Sequence, residues 1–249
     1  MVAKGAKSVP ESLPTELKHP YYPWDLKLPH YVPNELETTT ILAVLGGCSA
    51  LVVLFAWVVS GNRKEPFCFL RRLTLCWFLL CAFIHTVLEG YFAVYHATLA
   101  GHKTVLGETW KEYSMSDSRY LSSDTFTVCM ESITAVIDGP LAFVTFWAFM
   151  SGSNYRYALQ MILSLCQLYG DVLYFLTEIK EGFVHGPFGH PLYFCFYFVF
   201  LNSLWIVIPS CLIVDSARHI ASCQTVSDFY IDEYNKKQGI TNNHSKKNK

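Results

Sequence analysis

The chain has 249 residues, a formal net charge of -1 and a hydrophobic fraction of 52%. That length suits one sizeable domain, and the near-neutral balance gives no sign of a nucleic-acid partner. Polar ends dilute the mean hydropathy: residues 1 to 38 are rich in proline and charge, residues 224 to 249 in lysine and asparagine, and the chain between them reads as lipid-embedded.

Residues 1 to 38 form a polar N-terminal segment. No cleavable signal peptide is visible, because the first apolar core begins near residue 40 and not directly behind a basic start, so span one is expected to stay in the mature protein. That span, "TILAVLGGCSALVVLFAWVVS" over residues 40 to 60, carries no charge, and with its "GGCSA" it predicts close helix packing or plain anchoring, packing being the favoured use of the glycines. The second span runs from about Leu73 to Leu99, the third from Phe126 to Met150, the fourth from Tyr157 to Thr177 and the fifth from Leu192 to Val214. Each has the roughly 20 residues that a helix needs to cross the hydrocarbon. A four-span count also fits, since spans three and four carry acids and the "SGSNYR" turn between them is very short.

Charge placement bears on that count. Arg63, Lys64, Arg71 and Arg72 follow span one, Arg156 follows span three, and Arg218, Lys236 and Lys237 follow span five. With five spans all of these share one side, which the positive-inside rule makes cytosolic. The N-terminus is then lumenal or extracellular. Residues 224 to 249 are expected to be a flexible cytosolic tail without order. Its last four residues, Lys246-Lys247-Asn248-Lys249, fit the dilysine pattern of retrieval to the endoplasmic reticulum, an address that extends to the nuclear envelope.

Most of the nine cysteines fall inside predicted spans and no CxxC pair occurs, so they read as small apolar side chains and not as a disulfide or zinc framework. The informative residues are ionisable groups at membrane depth. A charge at the bilayer centre costs at least about 2.5 to 3.5 kcal/mol, so such a group faces the bundle interior and has a partner or a task. His85 and Glu89 lie one turn apart on span two. Glu131 and Thr134 do so on span three, and Asn202 and Trp205 on span five. Three helices thus aim polar groups at one cavity. Asp171, Tyr174 and Glu178 make a further stripe on span four, as cavity lining or as structure. Asp138 and Asp215 are placed near helix ends. Blander readings stand beside these: His85 and Glu89 as a structural pair or as metal ligands, Asn202 as interhelical glue, Trp205 as core.

A dry pocket with two carboxyls, an imidazole and an indole suits one chemistry well. A buried carboxylic acid can keep its proton near neutral pH and deliver it to carbon, while a second group removes a neighbouring proton. A carbocation between the two steps would be steadied by the Trp205 face and protected from capture by exclusion of water. No nucleophile-base motif, phosphate loop or nucleotide fingerprint appears.

"RRLTLCWFLLCAFIHTVLEGYF", "TWKEYSMSDSRY", "FTVCMESITA", "QLYGDVLYFLTE" and "HGPFGHPLYFCFYFVFLNSLW" closely resemble the emopamil-binding protein family of Δ8–Δ7 sterol isomerases. The likeness runs from "HPYYPWDLKLPHYVPNE" to "VIPSCLIVDSARH", with the tails matching loosely. The resemblance implies an all-α membrane protein, five transmembrane helices around a cavity open to the membrane, which moves a ring double bond without a cofactor or metal. It implies a functional set of His85, Glu89, Glu131, Thr134, Asn202 and Trp205: a proton goes to C9 of a Δ8-sterol, charge forms at C8 and a C7 proton leaves. Within that set His85/Glu89 handle one proton transfer, and Glu131 the cation or the other transfer. Tyr113, Arg119 and Tyr120 match the family in the loop before span three and either cap the cavity or belong to a folded loop resting on the helix ends, with Asp171 and Tyr174 as candidate substrate contacts. Asp138 departs from the family pattern, where a bulky aromatic stands; two turns beyond Glu131, it either alters the polarity of the cavity or faces the interface. Implied partners are the sterol, cationic amphiphilic amines that copy the cation, membrane lipid, and a second copy or other sterol-pathway enzymes. Two alternatives have other signatures. A non-catalytic sterol or amine binder would lack His85, Glu131 or Trp205, and a transporter would show internal repeats or broken helices in corresponding places.

Overall fold

The computed structural model describes residues 18–239 and is all-helical, with no strand among the described residues. The dilysine pattern lies outside the described residues. Five helices are long and apolar enough to cross a membrane: α1 (Thr38–Gly61), α2 (Phe69–Tyr95), α5 (Thr125–Met150), α6 (Arg156–Glu181) and α7 (Pro191–Lys237). Two short helices, α3 (Val105–Tyr113) and α4 (Arg119–Ser122), sit in the connection between α2 and α5. This is a multi-pass membrane protein with five spans, which settles the count against four.

The helix ends follow from local chemistry. Thr104 accepts from Gly107 N at 3.1 Å to start α3, and Asp124 Oδ2 accepts from Thr127 N at 2.9 Å to start α5. His190 caps α7 through its Nδ1, with Pro191 at the first helical position. Gly182 ends α6 with φ 80°, a left-handed conformation that glycine adopts without a Cβ penalty. The last helix runs on through Lys237, so residues 224–237, expected to lack order, are helical. Pairs one turn apart, Gln224 with Asp228 at 2.7 Å and Lys237 with Glu233 at 2.7 Å, support that extension.

Lipid tails are as apolar as leucine, so interhelical packing and hydrogen bonds, more than apolar burial, join the spans. Two clusters result. At the basic end Leu75, Phe78, Cys81, Ala142, Phe146, Phe149, Leu163 and Leu212 interlock. There Arg71 binds Asp215 at 2.9 Å and Gln160 at 3.0 Å, while Arg72 donates to Trp57 O at 2.6 Å and lies over the Trp57 ring. Asp215 is therefore a partner of an arginine inside α7, not a residue of a helix end. At the opposite end α3, α4 and residues 18–37 form a cap. Tyr21, Leu28, Tyr31, Phe92, Leu99, Trp110, Tyr120, Tyr174 and Phe198 are its core. Glu108, 1% exposed, ties the N-terminal segment to this cap by accepting from the backbone N–H groups of Glu35 and Leu36 at 3.0 and 2.8 Å.

The glycines of α1 do not mark close packing. A Cβ added to Gly46 or Gly47 would meet nothing within 4 Å. The close approach of α1 falls lower on the helix, at Ala56 and Ser60, both fully buried, because α2 leans toward the basic end of α1 and leaves the glycine stretch to the membrane.

Candidate active site

Between the two clusters lies a cavity of about 350 Å³, within the usual size of a small-molecule site. Every span contributes to its wall: Leu45 and Ser49 from α1, His85 and Glu89 from α2, Glu131 and Thr134 from α5, Gln167 and Asp171 from α6, Asn202 and Trp205 from α7. Three of these helices widen into π-helical turns where they reach the cavity. Ile84–Glu89 does so in α2, Thr134–Asp138 in α5, and Pro191–Leu201 immediately before Asn202 in α7. Such turns release backbone from the regular ladder and re-aim side chains.

His85, 3% exposed, directs Nδ1 at Glu89 Oε1 and Oε2, 2.7 and 2.8 Å away. Its Nε2 lies 3.1 Å from Gln167 Nε2 and 3.5 Å from Trp205 Nε1. The Trp205 ring meets the imidazole edge to face at 6.2 Å between centroids and is itself backed by Trp77 at 5.1 Å. Thr134 donates its hydroxyl to Glu89 Oε2, and Thr134 Oγ1 also stands 3.4 Å from Glu131 Oε2. Tyr120 donates to Glu131 Oε1 at 2.5 Å. An unbroken chain of polar atoms therefore runs His85–Glu89–Thr134–Glu131–Tyr120. Two carboxylates this close in a dry space repel strongly if both are ionised, so the arrangement suits a pair that carries a shared proton.

Asn202 occupies the neighbouring wall, donating to Tyr113 Oη at 3.0 Å and to Phe198 O at 2.7 Å. Tyr113 and Tyr120 both line the cavity. Burial pushes both phenols well above their ordinary range, and the nearby Glu131 charge adds to this at Tyr120, so each keeps its O–H at any working pH. Arg119 is different: the structure sets it behind the wall, 1% exposed, where it clamps Asp117 with Nε at 3.0 Å and Nη2 at 2.7 Å and donates to Thr177 at 2.8 Å. Burial opposes its charge, but Asp117 outweighs burial and holds the guanidinium protonated. Tyr174 Oη donates to the same Asp117 at 2.6 Å while Tyr174 lines the cavity, so Arg119 is linked to the cavity wall through Asp117 and Tyr174 and does not line it. Glu178, the third member of the span-four stripe, belongs to this buried cluster: it lies 3.4 Å from Arg119 and 2.7 Å from His185. With Glu181 nearby the group has the makings of a cation site, but Arg119 and His185 already answer the Glu178 charge.

Two residues beside His85 escape sequence reasoning. Gln167 is invisible because a glutamine inside an apolar span carries no charge signal, and Cys81, whose thiol contacts His85 and Gln167, reads as one more small apolar residue. Asp138 lies inside α5 and not near a helix end, and of its two open readings the cavity is the one that holds. It is 2% exposed, lines the cavity from the π-helical turn and leaves Oδ1 without a partner.

A family model described as EXPERA (EXPanded EBP superfamily) matches residues 105–216. Across 211 residues, 84% of this chain and 92% of the relative, the chain is 49% identical to the 3-beta-hydroxysteroid-Delta(8),Delta(7)-isomerase of Mus musculus. The chain belongs to this isomerase family. Identity to the probable isomerase of Arabidopsis thaliana is 36%, over 90% of this chain and 98% of that one. The family also reaches an isomeliandiol synthase of Ailanthus altissima, 36% identical over 76% of this chain and 88% of that protein. The matched stretch takes in Glu131, Thr134, Asn202 and Trp205, whereas His85 and Glu89 precede it; the cavity brings the two sets together.

Proposed function

We propose that this chain is a Δ8-to-Δ7 sterol isomerase that works by protonating C9 and removing a C7 proton. The observation that carries the reading is the Thr134 hydroxyl, set between Glu89 and Glu131 with His85 at the far side of Glu89. An isomerase returns to its starting state only if the proton removed from substrate finds its way back to the acid. The chain of contacts from His85 to Tyr120 offers that route within the cavity, with no co-reactant needed. In this reading Glu131 serves as the acid, kept in place by Tyr120, and the His85/Glu89 pair as the base. The positive charge at C8 faces the Trp205 ring, an attraction of about 2 kcal/mol when desolvated. Asn202 and Tyr113 fix the neighbouring wall. Apolar helices exclude the water that would otherwise trap the cation as an alcohol.

The same arrangement suits a protonated amphiphilic amine, whose cation copies the C8 charge between the carboxyls and the indole. Basic side chains at one end, Arg63, Arg71, Arg72 and Arg156, support a cytosolic placement of that end and of the C-terminus, in keeping with a protein of the endoplasmic reticulum membrane.

The test is turnover by purified protein in detergent, given a Δ8-sterol in deuterated water, beside Glu131→Gln. Δ7 product with one deuteron on C9, and its loss in the variant, is the expected result. Well-folded protein that binds the sterol and forms no product would leave a binding protein in an isomerase fold.

A further inference from the structure

Gln167 stands one turn before Asp171 on α6, 3% exposed, with its amide nitrogen 3.1 Å from His85 Nε2. An amide nitrogen only donates, so this contact needs the lone pair of Nε2. Trp205 Nε1, also a donor only, approaches the same atom at 3.5 Å. With two donors turned toward it Nε2 is bare, and the ring proton lies on Nδ1, directed at the Glu89 carboxylate. The Gln167 Oε1 is buried and has no partner among the described residues.

We propose that Gln167 is the positioning residue that selects the Nδ1–H tautomer of His85, and that its amide turns over when His85 takes up a second proton. Because Oε1 gives up no hydrogen bond, a half-turn about the last side-chain torsion exchanges a donor for an acceptor at His85 Nε2. The amide thus serves the imidazole before and after proton uptake, which no aliphatic side chain of the same size can do. The other groups that bear on His85 are Cys81 and Glu89 from its own helix and Glu131 and Asp138 from α5. α6 and α7 present the neutral Gln167 and Trp205 to the ring, with Asp171 a turn further along the cavity. Of the two groups that α6 and α7 turn to Nε2, Gln167 is the one that can both donate and accept, Trp205 being a donor only. The turnover part of this proposal rests on the isomerase reading; the tautomer does not.

The experiment uses the full chain labelled with [15N]histidine in detergent micelles, the His85 signals being assigned by their loss in His85→Asn. At pH 7 the wild type is expected to show a bare Nε2 and a protonated Nδ1. Gln167→Glu, which fixes an acceptor, is expected to bring a proton to Nε2, and Gln167→Met to give a mixture of tautomers. Both variants should lower kcat about ten- to a hundredfold, the usual effect of removing an outer-shell partner, with KM changed less than about threefold. A wild-type His85 with its proton on Nε2 overturns the proposal, as does a folded Gln167→Met that keeps the wild-type tautomer. Should Gln167→Met not fold, the wild-type and Gln167→Glu spectra decide. Sterol binding without turnover in the wild type sinks the isomerase reading and leaves the spectra to judge Gln167 on their own.

Discussion

Thr134→Val removes one hydroxyl and keeps the shape of the side chain. In the native cavity that hydroxyl donates to Glu89 Oε2 and faces Glu131 Oε2 at 3.4 Å, with Glu131 O at 3.0 Å as its backbone alternative. Only the carboxyl contacts bear on chemistry. A hydrogen bond to a charged group contributes about 1.5 to 3 kcal/mol, which at about 1.4 kcal/mol per tenfold corresponds to a loss of roughly ten- to 150-fold in kcat. Thr134→Ser keeps the hydroxyl and should stay within about tenfold of wild type. Gas chromatography of Δ8 and Δ7 sterols from purified protein measures both, and thermal unfolding in the same detergent checks that the valine variant is folded. A folded Thr134→Val with turnover within threefold of wild type would refute the proton route through Thr134 and leave Glu89 and Glu131 to work separately.

Further outcomes follow from groups outside that route. Arg119→Leu leaves Asp117 buried and unpaired beneath Tyr174, so a loss of about 3 to 5 kcal/mol is expected, seen as a large fall in the unfolding midpoint in micelles. Asp138→Leu removes a buried acceptor that lacks a partner; it should raise the midpoint of the sterol-free protein, by about 1 to 3 kcal/mol, and a lowered midpoint would show that Asp138 has a partner in solution. His185 lies in the loop after α6, where burial opposes its charge but Glu178 outweighs burial and holds the imidazole above its ordinary value. Its stabilising contribution is therefore complete below the unfolded pKa of about 6.5 and fades as pH rises through the higher folded value. The midpoint should fall across that interval in the wild type and be flat there in His185→Gln, as unfolding scans at a series of pH values will report.

The spans were legible because hydropathy over twenty residues is a strong signal, and the polar lining of the cavity because charge is so unwelcome at membrane depth that His85, Glu89 and Glu131 stand out. Where the cost signal is weak, reading fails. Gln167 carries no charge. Asp138 was set near a helix end because span composition does not mark helix ends, whereas its spacing of seven from Glu131 left the cavity open to it. The glycines of α1 were misread because their composition matches a packing motif, whereas which helix lies alongside is a tertiary fact. The extension of α7 was missed because a polar composition hides pairs that only a helix brings together.

The π-helical turns have a consequence for how the protein tolerates change in length. Each adds a residue to a turn, and one residue is about 100° of helix rotation. In α2 the flanks of the widened turn bury Leu75 and Phe78 in one cluster and Phe92 in the other. Deleting a single lipid-facing residue such as Val87, 39% exposed, lets the turn close to α-helical width, so the flanks keep the faces they bury. Leu75 and Phe78 stay at the basic end and Phe92 stays in the cap. The widened turn is in that sense a store of one residue of length, set where the chain passes the cavity.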